Sequence, residues 1–126
     1  MKILIDTHVF LWGIQHESKL SPRVRTFLPV SDVLISVAKL WEIIAKVQTG
    51  KLALPGPIAS YLTAKLKSNG VSVLPFTFDH VKRLEELPLH HRDPLDRILM
   101  AQGLEESLPI VTADPQFVKY SAELIW

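Results

Sequence analysis

The feature that most constrains the fold of this 126-residue chain is the alternation of short apolar runs with helix-forming segments. Residues 2–6, 33–36, 71–76 and 108–114 are short and rich in Ile, Val and Leu, which predicts four strands, and the final ELIW predicts an edge strand. Strands that alternate with helices form βαβ units and a mostly parallel sheet covered on both faces. We therefore expect a single domain over residues 1–126, with an α/β fold built as a three-layer α/β/α sandwich around four to five strands.

Capping residues predict where the helices begin and end. Ser21 before Pro22 indicates a helix start, because serine is a good N-cap and proline fits the first helical position. Ser36 can cap the helix after the second strand, and Gly50 supplies its end. Pro94 begins a further helix. These signals place helices between successive strands, as a βαβ chain requires.

In the helix after the second strand, five apolar residues recur at intervals of three and four. Such spacing is typical of an amphipathic helix whose apolar stripe packs on a core. The stripe consists of Val37, Leu40, Trp41, Ile44 and Val47. Glu42 lies well away from this stripe, so the sequence alone favours a solvated glutamate over one that lines a cleft.

The composition excludes several kinds of catalytic or metal site and limits the kinds of binding partner. The chain has no cysteine, which excludes disulfides, thiolate catalysis and cysteine zinc sites. Its 14 basic and 13 acidic residues give a net charge of +1, so a polyanion would be bound through a local patch or a metal ion. The longest uncharged stretch, residues 52–64, contains two prolines and is shorter than the ~20 apolar residues of a membrane span. We expect a cytoplasmic protein that does not enter a membrane.

Acidic residues stand where a ligand site is expected in such a sheet. Asp6 and Asp114 directly follow predicted strands, and ligands of parallel sheets bind beyond the carboxyl ends of the strands. Glu42 and Asp96 lie on predicted helices. Carboxylates gathered in one place raise one another's pKa, so such a cluster makes sense only around a bound cation. A set of ligands that consists only of oxygen atoms suits Mg²⁺ or Mn²⁺.

Each of these acids also has a structural explanation. Asp6 can cap the first helix, and Asp114 can cap a short helix that begins at the following proline. Asp93, Pro94 and Asp96 resemble a capping box at the N-terminus of a helix. Of the two acids, Asp93 is predicted to be the cap, and Asp96 is the better candidate for a role in the chemistry of the site.

The chain contains four stretches in this order: LIDTHVFLW, ISVAKLWEI, LPLHHRDPLDRILMAQG and LPIVTADPQF. Through these stretches the chain resembles the PIN-domain family. Within that family it is most similar to the VapC-type toxins of bacterial type II toxin–antitoxin pairs. The resemblance covers essentially the whole chain. It implies a PIN-like fold and four metal-binding acids, here Asp6, Glu42, Asp96 and Asp114. It also implies Asp93 as an accompanying, possible fifth metal ligand.

The resemblance further implies an activity and partners. Similar proteins are Mg²⁺- or Mn²⁺-dependent endoribonucleases that cleave RNA phosphodiesters through a metal-activated water, are blocked by a cognate antitoxin and commonly form homodimers. Thr112 matches a small polar residue that supports the site. Lys39 is a minor departure from the pattern, because similar sequences often carry a small residue there. It lies three residues before Glu42, and we expect it to alter the local charge.

Other interpretations stay open at this stage. His90, His91 and Arg92 are candidates for steering RNA phosphates, although a solvated basic loop explains them equally well. The chain can also be a non-catalytic PIN-like domain that acts only through a partner, or another metal-dependent nuclease or phosphatase on a related fold. A phosphorylatable receiver-like domain fits poorly, because residues 71–76 end without the acid that it requires.

Overall fold

A five-stranded parallel sheet forms the centre of the computed structural model, which describes residues 1–89 and 93–126. The strands are β1 (Lys2–Ile5), β2 (Asp32–Ser36), β3 (Ser72–Leu74), β4 (Ile110–Val111) and β5 (Leu124–Ile125). They are ordered β3-β2-β1-β4-β5, and every neighbouring pair is parallel. The predicted α/β fold is confirmed, and ELIW does supply an edge strand.

Helices connect the strands, and their starts follow the predicted caps. The α-helices are α1 (Thr7–Gln15), α2 (Pro22–Phe27), α3 (Val37–Gln48), α4 (Ile58–Ser68), α5 (Phe78–Glu86) and α6 (Pro94–Glu105). The hydroxyl of Ser21 accepts a hydrogen bond from Val24 N, and that of Ser36 accepts one from Ala38 N. Over the described ranges, none of these helices is both long enough and apolar enough to cross a membrane.

Different helices cover the two faces of the sheet. Because side chains alternate along a strand, Ile3 and Ile5 of β1 point to one face and Leu4 points to the other. Buried residues of α1 to α4 pack on the first face, among them Val9, Val24, Ile43 and Leu62. Buried residues of α6 and the end of α5 pack on the second face, among them Leu87, Leu99 and Met100. This is the predicted three-layer arrangement.

One strand is shorter than predicted. The third strand was expected over residues 71–76 but spans only Ser72–Leu74. Pro75 follows it, and proline has no N–H to donate to the sheet. The fourth strand, predicted within the run 108–114, occupies Ile110–Val111. Thr112 follows it, and its backbone N–H still donates to Ile125 O of β5 at 3.2 Å.

The inward face of α3 is not the predicted one. Val37 and Trp41 are 42% and 63% exposed, so their assignment to the core was wrong. The buried residues of the helix are Lys39, Glu42 and Ile43. The other members of the predicted stripe are half-buried (Leu40, Ile44 and Val47). Hydrophobic periodicity failed here because two of the three buried positions are charged: Lys39 pairs with Asp6 and Asp96 outside the helix, and Glu42 pairs with Lys39.

Gly103 provides a test of the packing between α6 and β4. A Cβ at this position would lie 2.7 Å from Ile110 Cδ1 and 3.3 Å from the carbonyl oxygen of Leu108. We expect Gly103→Ala to lower the free energy of unfolding by about 1–3 kcal/mol through overpacking, as measured by urea denaturation. Gly13 of α1 has no atom within 4 Å of the corresponding position. Gly13→Ala should therefore raise stability by roughly 0.5–1 kcal/mol, and equal effects at both sites would contradict this packing.

Candidate active site

Polar residues cluster where the order of the strands reverses. The chain runs from β1 to β2 and β3 on one side of the sheet, then crosses to β4 on the other side of β1. Asp6 follows β1, and Thr112 follows β4, the neighbouring strand. A crevice at such a reversal is the usual ligand site of an open parallel sheet. The predicted placement of Asp6 at this edge is therefore confirmed by the topology.

Asp6 is buried and is held by two hydrogen bonds. Its Oδ1 atom accepts from the backbone N–H of Thr7 at 2.7 Å, which caps α1. Its Oδ2 atom accepts from the hydroxyl of Thr112 at 2.9 Å. One carboxylate oxygen caps the helix and the other contacts Thr112, so capping α1 does not prevent Asp6 from taking part in the site. The supporting position predicted for Thr112 agrees with this contact.

Glu42 is also buried, with only 8% of its surface exposed, so the solvated interpretation favoured by its sequence position was wrong. Its Oε1 atom accepts a hydrogen bond of 2.9 Å from the hydroxyl of Thr7. Thr7 thus contacts Asp6 through its backbone and Glu42 through its side chain. This one residue links the end of β1 to the middle of α3.

Lys39 lies among three of the four candidate acids. Its Nζ atom is 2.5 Å from Asp96 Oδ1, 3.6 Å from Asp6 Oδ1 and 3.7 Å from Glu42 Oε2. The Lys39 side chain is 1% exposed. We call Asp6, Lys39, Glu42 and Asp96 the acid–lysine cluster. Lys39 does alter the local charge, but the departure is not minor, because this side chain is the cation around which the acids gather.

The charges of the cluster are unequal, and the pKa directions reflect this. Burial by itself lowers the pKa of Lys39, but Asp6, Asp96 and Glu42 together outweigh burial and raise it above its usual value. Burial raises the pKa of Asp96, and the nearby carboxylates add to this increase, while Lys39 opposes it. The acids that face Lys39 outweigh its burial, whereas the one ammonium that Asp96 contacts does not offset the burial of Asp96.

The first turn of α6 positions Asp96. Asp93 Oδ1 accepts hydrogen bonds from Leu95 N at 2.9 Å and from Asp96 N at 3.3 Å, which confirms Asp93 as the N-cap. Pro94 occupies the first helical position. Asp96 sits one turn into the helix and reaches Lys39 of α3. The predicted division of this pair, a capping Asp93 and a cluster-forming Asp96, agrees with these contacts.

Asp114 joins the site indirectly. Its Oδ1 atom accepts from Gln116 N at 2.9 Å and caps the 3₁₀ segment Pro115–Lys119. Its own backbone N–H donates to the Thr112 hydroxyl at 3.1 Å. That hydroxyl in turn donates to Asp6, so Asp114 is connected to the cluster through Thr112.

The donors suit a divalent cation in their chemistry but not in their present arrangement. Carboxylate oxygens are the ligands that Mg²⁺ and Mn²⁺ prefer. Across residues 1–89 and 93–126, however, no three acidic or histidine side chains are arranged as a group that could hold a metal ion. The position between the carboxylates of Asp6, Glu42 and Asp96 is taken by Lys39 Nζ.

Arg97 anchors the start of α6 to the segment that follows α5. Its guanidinium donates to the carbonyl oxygen of Pro88 at 2.8 Å, and to Leu84 O and Leu87 O at 3.4 and 3.5 Å. It also donates to the Tyr120 hydroxyl at 3.3 Å. These contacts fix the helix that carries Asp96. They were not predicted, because they join segments that no local pattern connects.

The three basic residues proposed to steer RNA, His90, His91 and Arg92, lie outside the described residues, so their role stays a prediction. The role of Thr7 was missed, and that of Lys39 was underestimated. Thr7 follows Asp6 directly at the start of a helix, and Lys39 lies three residues before Glu42, on the same helical face. Both spacings were visible in the sequence.

An apolar groove in the described part of the chain is a separate feature. It is lined by α1, α2 and the segment after α4, with Val9, Phe10, Leu20 and Leu28 among its walls. None of the candidate acids lines it. The chemistry of the candidate site is therefore assigned to the sheet edge and not to this groove.

Comparison with protein families identifies the fold. The PIN domain profile matches residues 3–123, which is nearly the whole chain. The chain belongs to the PIN-domain family. This PIN domain has no match among curated proteins.

Solved structures with the same architecture come from several bacteria. VapBC2 from Rickettsia felis, bound to a DNA fragment from the promoter, has a TM-score of 0.76 and 15% identity, and the match covers 99% of this chain and 98% of that chain. FitAcB from Neisseria gonorrhoeae has a TM-score of 0.69 and 20% identity, covering 100% and 97%. VapBC-5 from Mycobacterium tuberculosis, a member of the VapBC family of toxin–antitoxin systems, has a TM-score of 0.60 and 23% identity, covering 98% and 95%. At these identities the similarity establishes the fold alone.

The support that Thr112 gives to Asp6 can be tested by removing one hydroxyl. Thr112→Val preserves shape but leaves Asp6 Oδ2 and Asp114 N without this partner. We expect the free energy of unfolding to fall by about 1–3 kcal/mol in urea denaturation. Thr63→Val, which removes an exposed hydroxyl on α4, is the matched control and should change stability by less than about 0.5 kcal/mol. Similar losses in both variants would contradict the assignment.

Proposed function

We propose that this PIN domain is a VapC-type toxin, an endoribonuclease whose active site is the acid–lysine cluster with Asp114. The observation that carries the proposal is the convergence of Asp6, Glu42 and Asp96 on one point at the strand-reversal edge of the sheet. Family membership supports it, and so does the occurrence of toxin–antitoxin systems among the similar structures.

The proposed cofactor is Mg²⁺ or Mn²⁺. Asp6, Glu42, Asp96 and Asp114 are its proposed ligands, once Lys39 Nζ has left the position between the carboxylates. The possible fifth ligand, Asp93, is given only its capping role here, since its Oδ1 atom is used by backbone N–H groups. A bound ion would polarise the phosphodiester and lower the pKa of an attacking water.

The chain's own residues keep the carboxylates in place before substrate arrives. Thr7 N and the Thr112 hydroxyl orient the two oxygens of Asp6, and the Thr7 hydroxyl orients Glu42. A site whose polar groups are already oriented needs less rearrangement during the reaction. The chain has no cysteine. This agrees with the proposal, since hydrolysis by an activated water needs no thiolate nucleophile.

The proposed partners are an RNA substrate, a cognate antitoxin and a second copy of the chain in a homodimer. The antitoxin is supported by the similarity of the fold to VapBC-5, a member of the VapBC family of toxin–antitoxin systems. His90, His91 and Arg92 are proposed to steer RNA phosphates toward the cluster, as basic side chains commonly do.

One observation favours a second candidate, a non-catalytic PIN domain that works only by binding its partner. Lys39 occupies the centre of the acid cluster, so the negative charge of the site is partly neutralised without a metal ion. This candidate predicts that the purified chain leaves RNA intact at every Mg²⁺ or Mn²⁺ concentration. Cleavage of total RNA in vitro separates the two candidates.

Asp6 gives the sharpest test of the proposed activity. We expect Asp6→Asn to lower the rate of RNA cleavage by about a hundredfold or more, because it removes a charge at the reacting centre while preserving side-chain shape. The rate is measured on total RNA with Mn²⁺ present, and circular dichroism checks the fold.

Asp79→Asn is the matched control. Asp79 is an exposed acid on α5 that pairs only at the surface with Lys82, at 3.3 Å. The substitution Asp79→Asn should leave the rate of RNA cleavage unchanged. A fully active Asp6→Asn protein would refute the assignment of the active site.

A further inference from the structure

The acid–lysine cluster contains its own cation. Lys39 is among the largest fully buried side chains of the described structure. Lysine is almost never fully buried unless its charge is paired. Here the pairing is threefold, with carboxylates from β1's end, α3 and α6.

The Lys39 ammonium donates a hydrogen bond to Asp96 and forms longer ion pairs with Asp6 and Glu42. An ammonium group has three N–H donors and no acceptor, and three carboxylates lie within 3.7 Å of Lys39 Nζ. Lys46, about two turns further along α3 than Lys39, is 3.8 Å from Glu42 Oε1, but its side chain is 40% exposed. Lys46 therefore stands at the rim of the site, and Lys39 stands at its centre.

We propose that the Lys39 ammonium is the resident cation of the metal-free site, and that Lys39 and a divalent metal ion compete for the carboxylates of Asp6, Glu42 and Asp96. This inference rests on the proposed function, since it concerns the cation of the proposed nuclease site. Metal entry requires the ammonium to withdraw, and the flexible four-carbon stem of lysine allows such a movement.

The competition has a thermodynamic consequence. A divalent ion that enters this site must first break the ion pairs of Lys39, so the affinity of the unmodified chain for the metal is reduced by the strength of those pairs. Replacing Lys39 with methionine keeps an apolar stem of similar length but removes the competing charge. The vacated carboxylates then favour a divalent ion, because like charges left together repel one another.

The first experiment measures Mn²⁺ binding to the full chain by isothermal titration calorimetry. We expect Lys39→Met to bind Mn²⁺ at least about tenfold more tightly than the unmodified protein. Lys46→Met is the matched control on the same helix, and it should change the affinity by less than about threefold because its pair is partly solvated. Adding Asp6→Asn to Lys39→Met should abolish the gain. Equal affinities for the unmodified chain and Lys39→Met would overturn the proposal.

The second experiment needs no variant and so does not depend on whether Lys39→Met folds. Limited acetylation followed by mass spectrometry reports the accessibility of each lysine in the unmodified protein. Lys39 should be protected without metal and at least about tenfold more reactive in excess Mn²⁺, because its displacement by the metal would expose the amine. The reactivity of exposed Lys82 should stay constant. Unchanged protection of Lys39 in excess Mn²⁺ would overturn the proposal.

RNA cleavage measured on the same preparations separates this inference from the proposed function. Tighter Mn²⁺ binding by Lys39→Met, with no cleavage by any form, would support the competition and contradict the nuclease. Cleavage by the unmodified chain, with equal Mn²⁺ affinities in both proteins, would support the nuclease and contradict the competition.

Discussion

The buried ammonium of Lys39 is the interaction on which the candidate site depends. Three carboxylates within 3.7 Å of one point would repel one another strongly in a low-dielectric setting if no cation lay between them. Removing one partner of such a buried set leaves charge uncompensated, which typically costs about 3–5 kcal/mol. Lys39 thus joins the end of β1, the helix α3 and the first turn of α6 into one polar unit.

The rest of the fold brings these three elements to the same edge. A central β1, paired with β2 on one side and β4 on the other, directs Asp6 and Thr112 into the crevice where the strand order reverses. Apolar cores on both faces of the sheet hold the helices against it. Arg97 and the Asp93 cap set where α6 begins, and this determines where Asp96 can reach. The chemistry at the edge is therefore a product of packing on both faces.

Local signals predicted those features of the molecule that local physics controls. The alternation of strands and helices, the caps at Ser21, Ser36 and Asp93, and the position of Asp6 beyond a buried strand were all visible in the sequence. The inward face of α3 was not visible in the sequence, because hydrophobic periodicity cannot recognise a buried face that carries charged residues. Lys39 and Asp96 are 57 residues apart, so their pairing becomes visible only in the tertiary structure.

The most direct test of this account is a double-mutant cycle on the free energy of unfolding, made with Lys39→Met, Asp96→Asn and the double variant in metal-free buffer. If the two groups pair in the interior, the double variant should be more stable than the sum of the single losses predicts, with a coupling energy of at least about 1 kcal/mol. A coupling energy within about 0.3 kcal/mol of zero, the value expected for independent sites, would contradict the central place given to Lys39.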